Sequence, residues 1–371
     1  MSNTVTPLAA VVLPPREGFG PNRSGAIGLL VRRLAAAPGF RTLVIGGPQD
    51  GPGYPDVAFL AVKPTRWRFG STNIRYAISI AATLRRLKPA LVEVHNRPEI
   101  ALALAARLPH MPIALVLHND PHGMRGADTP GERDLLLRKL ALVMTCSNWL
   151  HDRLLEGLAA PARAPIVLHN CLDLREMPPP QPKEHTILFA GRVVADKGPD
   201  AFVAACAEAL PHLPGWRAVM IGADRFRPDS PDTAYVERIR SAAAAAGVEM
   251  LGYRDHPAVL EAMTRAAIVV VPSRWPEPFG LVALEAMAAG AVLVSSPNGG
   301  LPEVGGDVAI YANPEHPSEI AAALRALASD APRRHALGEA GRARARQFDM
   351  PAIAAQLAAL RRGVMAPSNL A

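Results

Sequence analysis

Cysteine is scarce in this chain of 371 residues: Cys146, Cys171 and Cys206 stand far apart, with no Cys-x-x-Cys pair among them. That spacing argues against a disulfide framework or a zinc site and points to three reduced thiols. No apolar stretch reaches the ~20 uncharged residues that cross a bilayer. Residues 1–7 lack a basic start, and Leu8–Leu13 is too short and too closely bounded by proline for the apolar segment of an export signal. The expectation is a cytoplasmic protein. No Gly-x-Gly-x-x-Gly run is present in the first strand-to-helix loop, which weakens a dinucleotide reading. Basic residues are not interleaved with aromatics and no nucleic-acid module is visible, so nucleic acid is not an expected partner.

What is present is enough for two domains, each with its own core. Hydrophobic residues make up 49% of the chain, with alanine dominant, which suits a helix-rich globule. The formal charge of +7 is uneven: residues 1–170 hold 20 Lys/Arg against 11 Asp/Glu, and the remainder holds 20 against 22. A basic N-terminal half points to an acidic partner, either an anionic membrane surface or a phosphate-bearing acceptor. The alternative is solvated surface in an Arg-rich protein.

Short apolar runs alternate with amphipathic stretches. Leu8–Leu13, Thr42–Ile45, Leu91–Val94 and Ile113–Leu117 read as buried parallel strands, with helices such as Ile27–Ala36 and Ile74–Leu87 between them. The pattern repeats in Thr186–Ala190, Arg217–Ile221, Val248–Leu251, Ile268–Val271 and Ala291–Val294. Two doubly wound α/β sheets are expected, with ligands at the carboxyl ends of the strands. The segment 172–184 contains Pro178-Pro179-Pro180 and Pro182 and reads as a linker. The expected division is 1–171, linker 172–184, 185–350, and a last helix with tail over 351–371, whose apolar face carries Ile353, Leu357 and Leu360.

The most informative feature is a pair of glutamates, Glu277 and Glu285, in Pro276-Glu277-Pro278-Phe279-Gly280-Leu281-Val282-Ala283-Leu284-Glu285. Pro276 and Pro278 stop a strand, Gly280 permits an unusual backbone conformation, and the helix beginning there offers unpaired N–H groups to an anion. A carboxylate only accepts hydrogen bonds and can take two hydroxyl donors, which suits sugars. Upstream, Gly191-Arg192-Val193-Val194-Ala195-Asp196-Lys197-Gly198 follows a strand. Arg192 and Lys197 could there neutralise a diphosphate. Taken alone, this stretch also reads as a surface loop with a capping Asp196.

This segment resembles the retaining group 1 glycosyltransferases of the GT-B fold, marked by Glu, seven residues, Glu around Phe-Gly. Gly299-Gly300-Leu301-Pro302-Glu303, Asn170 with Asp173, and His118 after an apolar strand fall in the same order, so the resemblance spans roughly residues 10–360. It implies two Rossmann-like domains facing a central cleft. The activity implied is transfer of a sugar from a nucleotide diphosphate sugar to a glycan or lipid-linked acceptor, in cell-envelope or exopolysaccharide synthesis, at the inner face of the membrane. Glu277 would hold the sugar, Glu285 the ribose, and Arg192 and Lys197 the diphosphate. Gly191, Phe279, Gly280 and Leu281 would line the donor, with Gly222 and Tyr253 near the nucleotide. His118 would lie beside the transferred sugar and His95 and Asp120 on the acceptor side.

Gly20, or else Gly25, would approach the diphosphate from the first loop, which lacks the family's adjacent glycine pair. Cys171 replaces a family glycine, and His118-Asn119-Asp120 replaces the common His-Asp. No metal or other cofactor is implied. A nucleotide-sugar epimerase of the same fold, or an inactive sugar-nucleotide-binding protein, are the alternatives.

Overall fold

The computed structural model describes residues 6–21, 24–66, 70–225 and 229–365; the tail expected over 366–371 lies outside the described residues. The chain divides into two compact units, one of Met1–Cys171 with Met350–Ala371 and one of Leu172–Asp349. In the first, β1 (Leu8–Val12), β2 (Arg41–Gly46), β3 (Ala58–Ala61), β4 (Leu91–His95), β5 (Ile113–Leu117), β6 (Leu142–Thr145) and β7 (Ile166–Val167) form a parallel sheet, ordered β3-β2-β1-β4-β5-β6-β7. In the second, β8 (Glu184–Ala190), β9 (Arg217–Ile221), β10 (Val248–Gly252), β11 (Ala266–Val271), β12 (Val292–Ser295) and β13 (Ile310–Tyr311) are ordered β10-β9-β8-β11-β12-β13.

Both sheets follow the doubly wound order, in which the winding reverses beside the first strand. The loops after β1 and β4, and those after β8 and β11, therefore diverge and leave an opening at the carboxyl ends. Strands β4 and β5 are buried along their whole length; β5 is the continuous apolar run expected of a covered parallel sheet, whereas β4 also buries Glu93 and His95. The sequence reading does not anticipate β3, β6, β7 or β13, which are four or two residues long. Runs that short carry no legible period.

Residues 172–183 hold one 3-10 turn, Leu174–Glu176, and belong with the second unit. The Leu172 N–H donates to the Phe348 carbonyl at 3.0 Å, and the Leu174 N–H to Asp349 Oδ1 at 3.2 Å. At the end of this segment Lys183 Nζ donates to the carbonyls of Met263, Thr264 and Ala289 at 3.2, 2.8 and 2.9 Å. It thereby ties together the C-terminal ends of two helices, His256–Arg265 and Leu281–Ala288.

The last helix, Met350–Met365, completes the first unit. Its buried face of Met350, Ile353, Ala354, Leu357 and Ala358 packs with Leu30 and Leu34 of helix Ala26–Leu34 and with Ala114 and Val116 of β5. One charged residue shares that face. Arg361 forms a two-pronged ion pair with Glu93 of β4, Nε to Oε1 at 2.8 Å and Nη2 to Oε2 at 2.7 Å, with both side chains 2% exposed. Among the described residues no helix is long and apolar enough to cross a membrane.

Removing one member of a buried pair strands the other charge, whereas replacing both with apolar groups often costs little. Arg361→Met is expected to destabilise the first unit by about 3–5 kcal/mol, and the double change Glu93→Met with Arg361→Met to recover most of it. Denaturant unfolding of the three proteins checks this. Equal midpoints for the single and double variants would show that the stranded carboxylate is not the cause.

Candidate active site

The second unit builds its site where β8 and β11 part. After β8 the chain passes Gly191 and the half-buried Arg192, then makes a 3-10 turn, Ala195–Lys197, that ends at Gly198 with φ 66°. A Cβ at Gly198 would lie 2.0 Å from the Pro272 carbonyl oxygen, so only glycine lets this loop press against the end of β11. The Asp196 carbonyl then accepts from the N–H groups of Arg274 and Trp275 at 2.9 and 3.0 Å and from Ser273 Oγ at 3.1 Å.

Stitched in this way, the two loops bring Lys197 Nζ to 2.5 Å from Glu277 Oε1, which also accepts from Ser273 Oγ at 2.8 Å. From the far side, the Gly300 N–H donates to the Glu277 carbonyl at 2.6 Å, and a Cβ at Gly299 (φ 67°) would fall 2.3 Å from that oxygen. Glu277 is thus fixed through both backbone and side chain.

Beyond Glu277 the Phe279 ring is buried against Phe348, with centroids 5.6 Å apart and planes at 79°. Gly280 (φ 106°) opens the helix Leu281–Ala288 without a side-chain cap, so the first-turn N–H groups gain no such partner. Glu285 lies one turn further in, with a side chain 7% exposed, and its Oε1 is 2.8 Å from His256 Nε2. Tyr253, half-buried, follows the edge strand β10 and leads into the helix that His256 begins. Gly222 (φ 147°) packs against the backbone: a Cβ there would meet the Gly191 carbonyl at 1.7 Å.

In the first unit the histidines after and at the end of neighbouring strands meet. His95 Nδ1 and His118 Nε2 are 2.9 Å apart, with exposures of 4% and 8%. Burial, reinforced by the positive charge of Arg361, pushes the His95 imidazole down to about 3. Burial and His95 likewise hold His118 well below its usual value, partly offset by the Asn170 side chain. Asn96, with φ 55°, turns its Oδ1 to accept from the N–H groups of His118 and Asn119, each at 3.2 Å.

The Asp120 carboxylate is engaged from both sides: Arg153 Nε of the helix Asn148–Leu155 donates to Oδ2 at 2.8 Å, and within the loop the His122 N–H donates to Oδ1 at 3.0 Å. In the first loop the Gly20 N–H donates to Ser24 Oγ at 3.1 Å. Gly25 starts the helix Ala26–Leu34, whose Gly28 N–H donates to Glu17 Oε1 at 2.9 Å. An anion approaching that helix end would meet the Glu17 carboxylate.

Residues 173–344 match the model of the family described as Glycosyl transferases group 1, and residues 27–176 that of Glycosyltransferase Family 4. The chain belongs to the group 1 glycosyltransferases. It is 30% identical over 267 residues to the glycogen synthase of Mycobacterium tuberculosis, an alignment that covers 67% of this chain and 62% of that enzyme. Against that curated relative, then, it spans about three-fifths of the length. Sucrose-phosphate synthase from Thermosynechococcus elongatus superposes with a TM-score of 0.78 at 20% identity, over 97% of this chain and 99% of the other. HepE of Anabaena, solved with UDP and glucose, gives 0.75 at 19% identity, over 94% and 98%. The fold is GT-B.

Within this group 1 glycosyltransferase the structure brings Lys197 and Glu277 together, and likewise His95 and His118. Asn96, in the His95-Asn96-Arg97 stretch that closes β4, holds the His118 backbone, and the structure supplies partners that the sequence reading missed: Ser273 on Glu277, His256 on Glu285 and Arg153 on Asp120. Only Ser273 carried a signal, as the residue that follows the last proline-bounded strand before Glu277. Among the described residues no group of three or more His, Cys, Asp or Glu side chains is arranged to hold a metal ion.

The histidine pair has a consequence for stability. Burial holds both imidazoles below their usual value in the folded protein, so they resist protonation where the unfolded chain takes up protons, below about pH 6.5. The unfolded state then binds more protons, so stability falls as pH drops from about 6.5 toward the His95 value of about 3. The slope is at most about 1.4 kcal/mol per pH unit for each imidazole. Unfolding temperatures followed from neutral to mildly acidic pH should decline less steeply in His95→Gln than in the wild type; parallel curves would assign the acid sensitivity to other groups.

Proposed function

We propose that this protein transfers a sugar from a nucleoside diphosphate sugar to an acceptor hydroxyl, with retention at the anomeric carbon. The observation that carries the reading is the grip on Glu277: one carboxylate oxygen held by both Lys197 and Ser273, immediately before an uncapped helix N-terminus. Hydroxyls of the donor sugar would bind the Glu277 carboxylate. The diphosphate would take the Lys197 ammonium, the Arg192 guanidinium and the first N–H groups of helix Leu281–Ala288, which stabilise charge as it develops on the leaving group. Glu285, deeper in the same helix, would accept the ribose hydroxyls. The leaving phosphate can itself take the acceptor's proton on the face it departs from, so His118, buried and neutral, need not act as a base.

No metal enters this scheme, because two cationic side chains and a helix end supply the positive charge. HepE, solved with UDP and glucose, supports a donor of that class. The excess of basic residues over 1–170 favours an acceptor with an anionic portion, such as a lipid-linked phosphate-bearing glycan of the cell envelope, met at the inner face of the membrane. Family membership favours transfer over epimerisation.

Arg192→Ala and Lys197→Ala should each lower turnover about a hundredfold, while wild-type turnover survives excess chelator. Near-normal rates in both variants, or activity lost to chelator and restored by magnesium, would sink the charge assignment. Steady-state kinetics should also separate the two glutamates. Hydrogen bonds made alike in ground and transition states affect affinity, so Glu285→Gln should raise the donor KM more than it lowers kcat. Glu277→Gln should do the reverse, since its bonds tighten as the sugar distorts. The opposite pattern would overturn the division of labour.

A further inference from the structure

Glu285 reaches its site from inside the helix Leu281–Ala288, almost fully buried, and a buried carboxylate needs donors to hold its orientation. His256 supplies one. It opens the helix His256–Arg265 just after the cap residue Asp255, whose Oδ1 accepts the Ala258 N–H at 3.1 Å, and its side chain is 39% exposed. Because a carboxylate only accepts, the proton of the 2.8 Å bond sits on His256 Nε2. The two helices cannot easily drift apart, since Lys183 ties their C-terminal ends. A carboxylate has about four lone-pair sites. The imidazole takes one on Oε1, which leaves Oε2 and the rest of Oε1 to two further donors.

We propose that His256 is a positioning residue for the donor nucleotide: it sets the plane of the Glu285 carboxylate so that two vicinal ribose hydroxyls are received together. This rests on the reading of Glu285 as the ribose acceptor. His256 touches the carboxylate and not the reacting atoms, so it acts on donor affinity and leaves the saturated rate alone.

The test measures binding by calorimetry for UDP, ADP and GDP, and then compares the tightest of them with its 2′,3′-dideoxy counterpart. His256→Ala should weaken the ribonucleotide about tenfold and leave the dideoxy form unchanged. His256→Gln, which keeps an N–H donor, should stay within about threefold of wild type. His256→Asn, whose amide stops short of Glu285, supplies the same contrast with His256→Gln should the alanine variant fail to fold. The proposal is overturned if the donor-less variant binds the ribonucleotide as the wild type does, or if it loses both nucleotide forms equally. A wild-type protein that binds both forms equally would instead overturn the ribose role of Glu285 itself, and the proposal with it.

Discussion

The close approach of Gly198 to the Pro272 carbonyl sets the geometry on which the second unit's site depends. A parallel sheet that winds in both directions from its first strand leaves two loops free to diverge at the switch point. Here they are drawn together. A left-handed glycine without a Cβ lets one loop touch the other, and the Asp196 carbonyl, accepting three donors from the far loop, holds the contact. Lys197 and Glu277 stand 80 positions apart in sequence and meet because of it.

That arrangement leaves few polar groups idle. Glu277 is paired with Lys197 and Ser273, and Glu285 with His256. Partly buried carboxylates and cations cost free energy unless they are partnered. A ligand with hydroxyls and phosphates can insert itself into such a network by taking over or sharing bonds that already point the right way. Orientation then precedes binding, which lowers the entropy lost when the ligand arrives.

The first unit organises its polar interior differently. Glu93 and Arg361 close a salt bridge between a central strand and the last helix, and Arg361 also contributes to holding the neighbouring His95 neutral. The histidine pair is therefore linked electrostatically to a residue near the C-terminal end of the chain. The apolar face of that helix would pack without Arg361, but the helix register relative to β4 would be less strictly set, since a two-pronged bond tolerates little sliding.

Family, fold class and most of the longer strands could be read from the sequence, because an apolar run bounded by glycine and proline and a motif of fixed spacing are both local in the chain. Residues 186–190, 217–221 and 268–271 announce buried parallel strands by composition alone, and the Glu277–Glu285 segment carries its own turn and helix start. The strands β7 and β13, two residues each, could not be read this way, since their pairing comes from neighbours already in place. Nor could Arg361, an unremarkable arginine on a C-terminal helix until β4 presents Glu93, 268 positions away in sequence. His256 is the same kind of case: nothing beside it in the chain marks it, and only the packing of its helix against Leu281–Ala288 gives it Glu285. Spacing along the chain fixes which chemistry is available, whereas the partner of each charged group is decided by helices and loops that meet only after the sheets have formed.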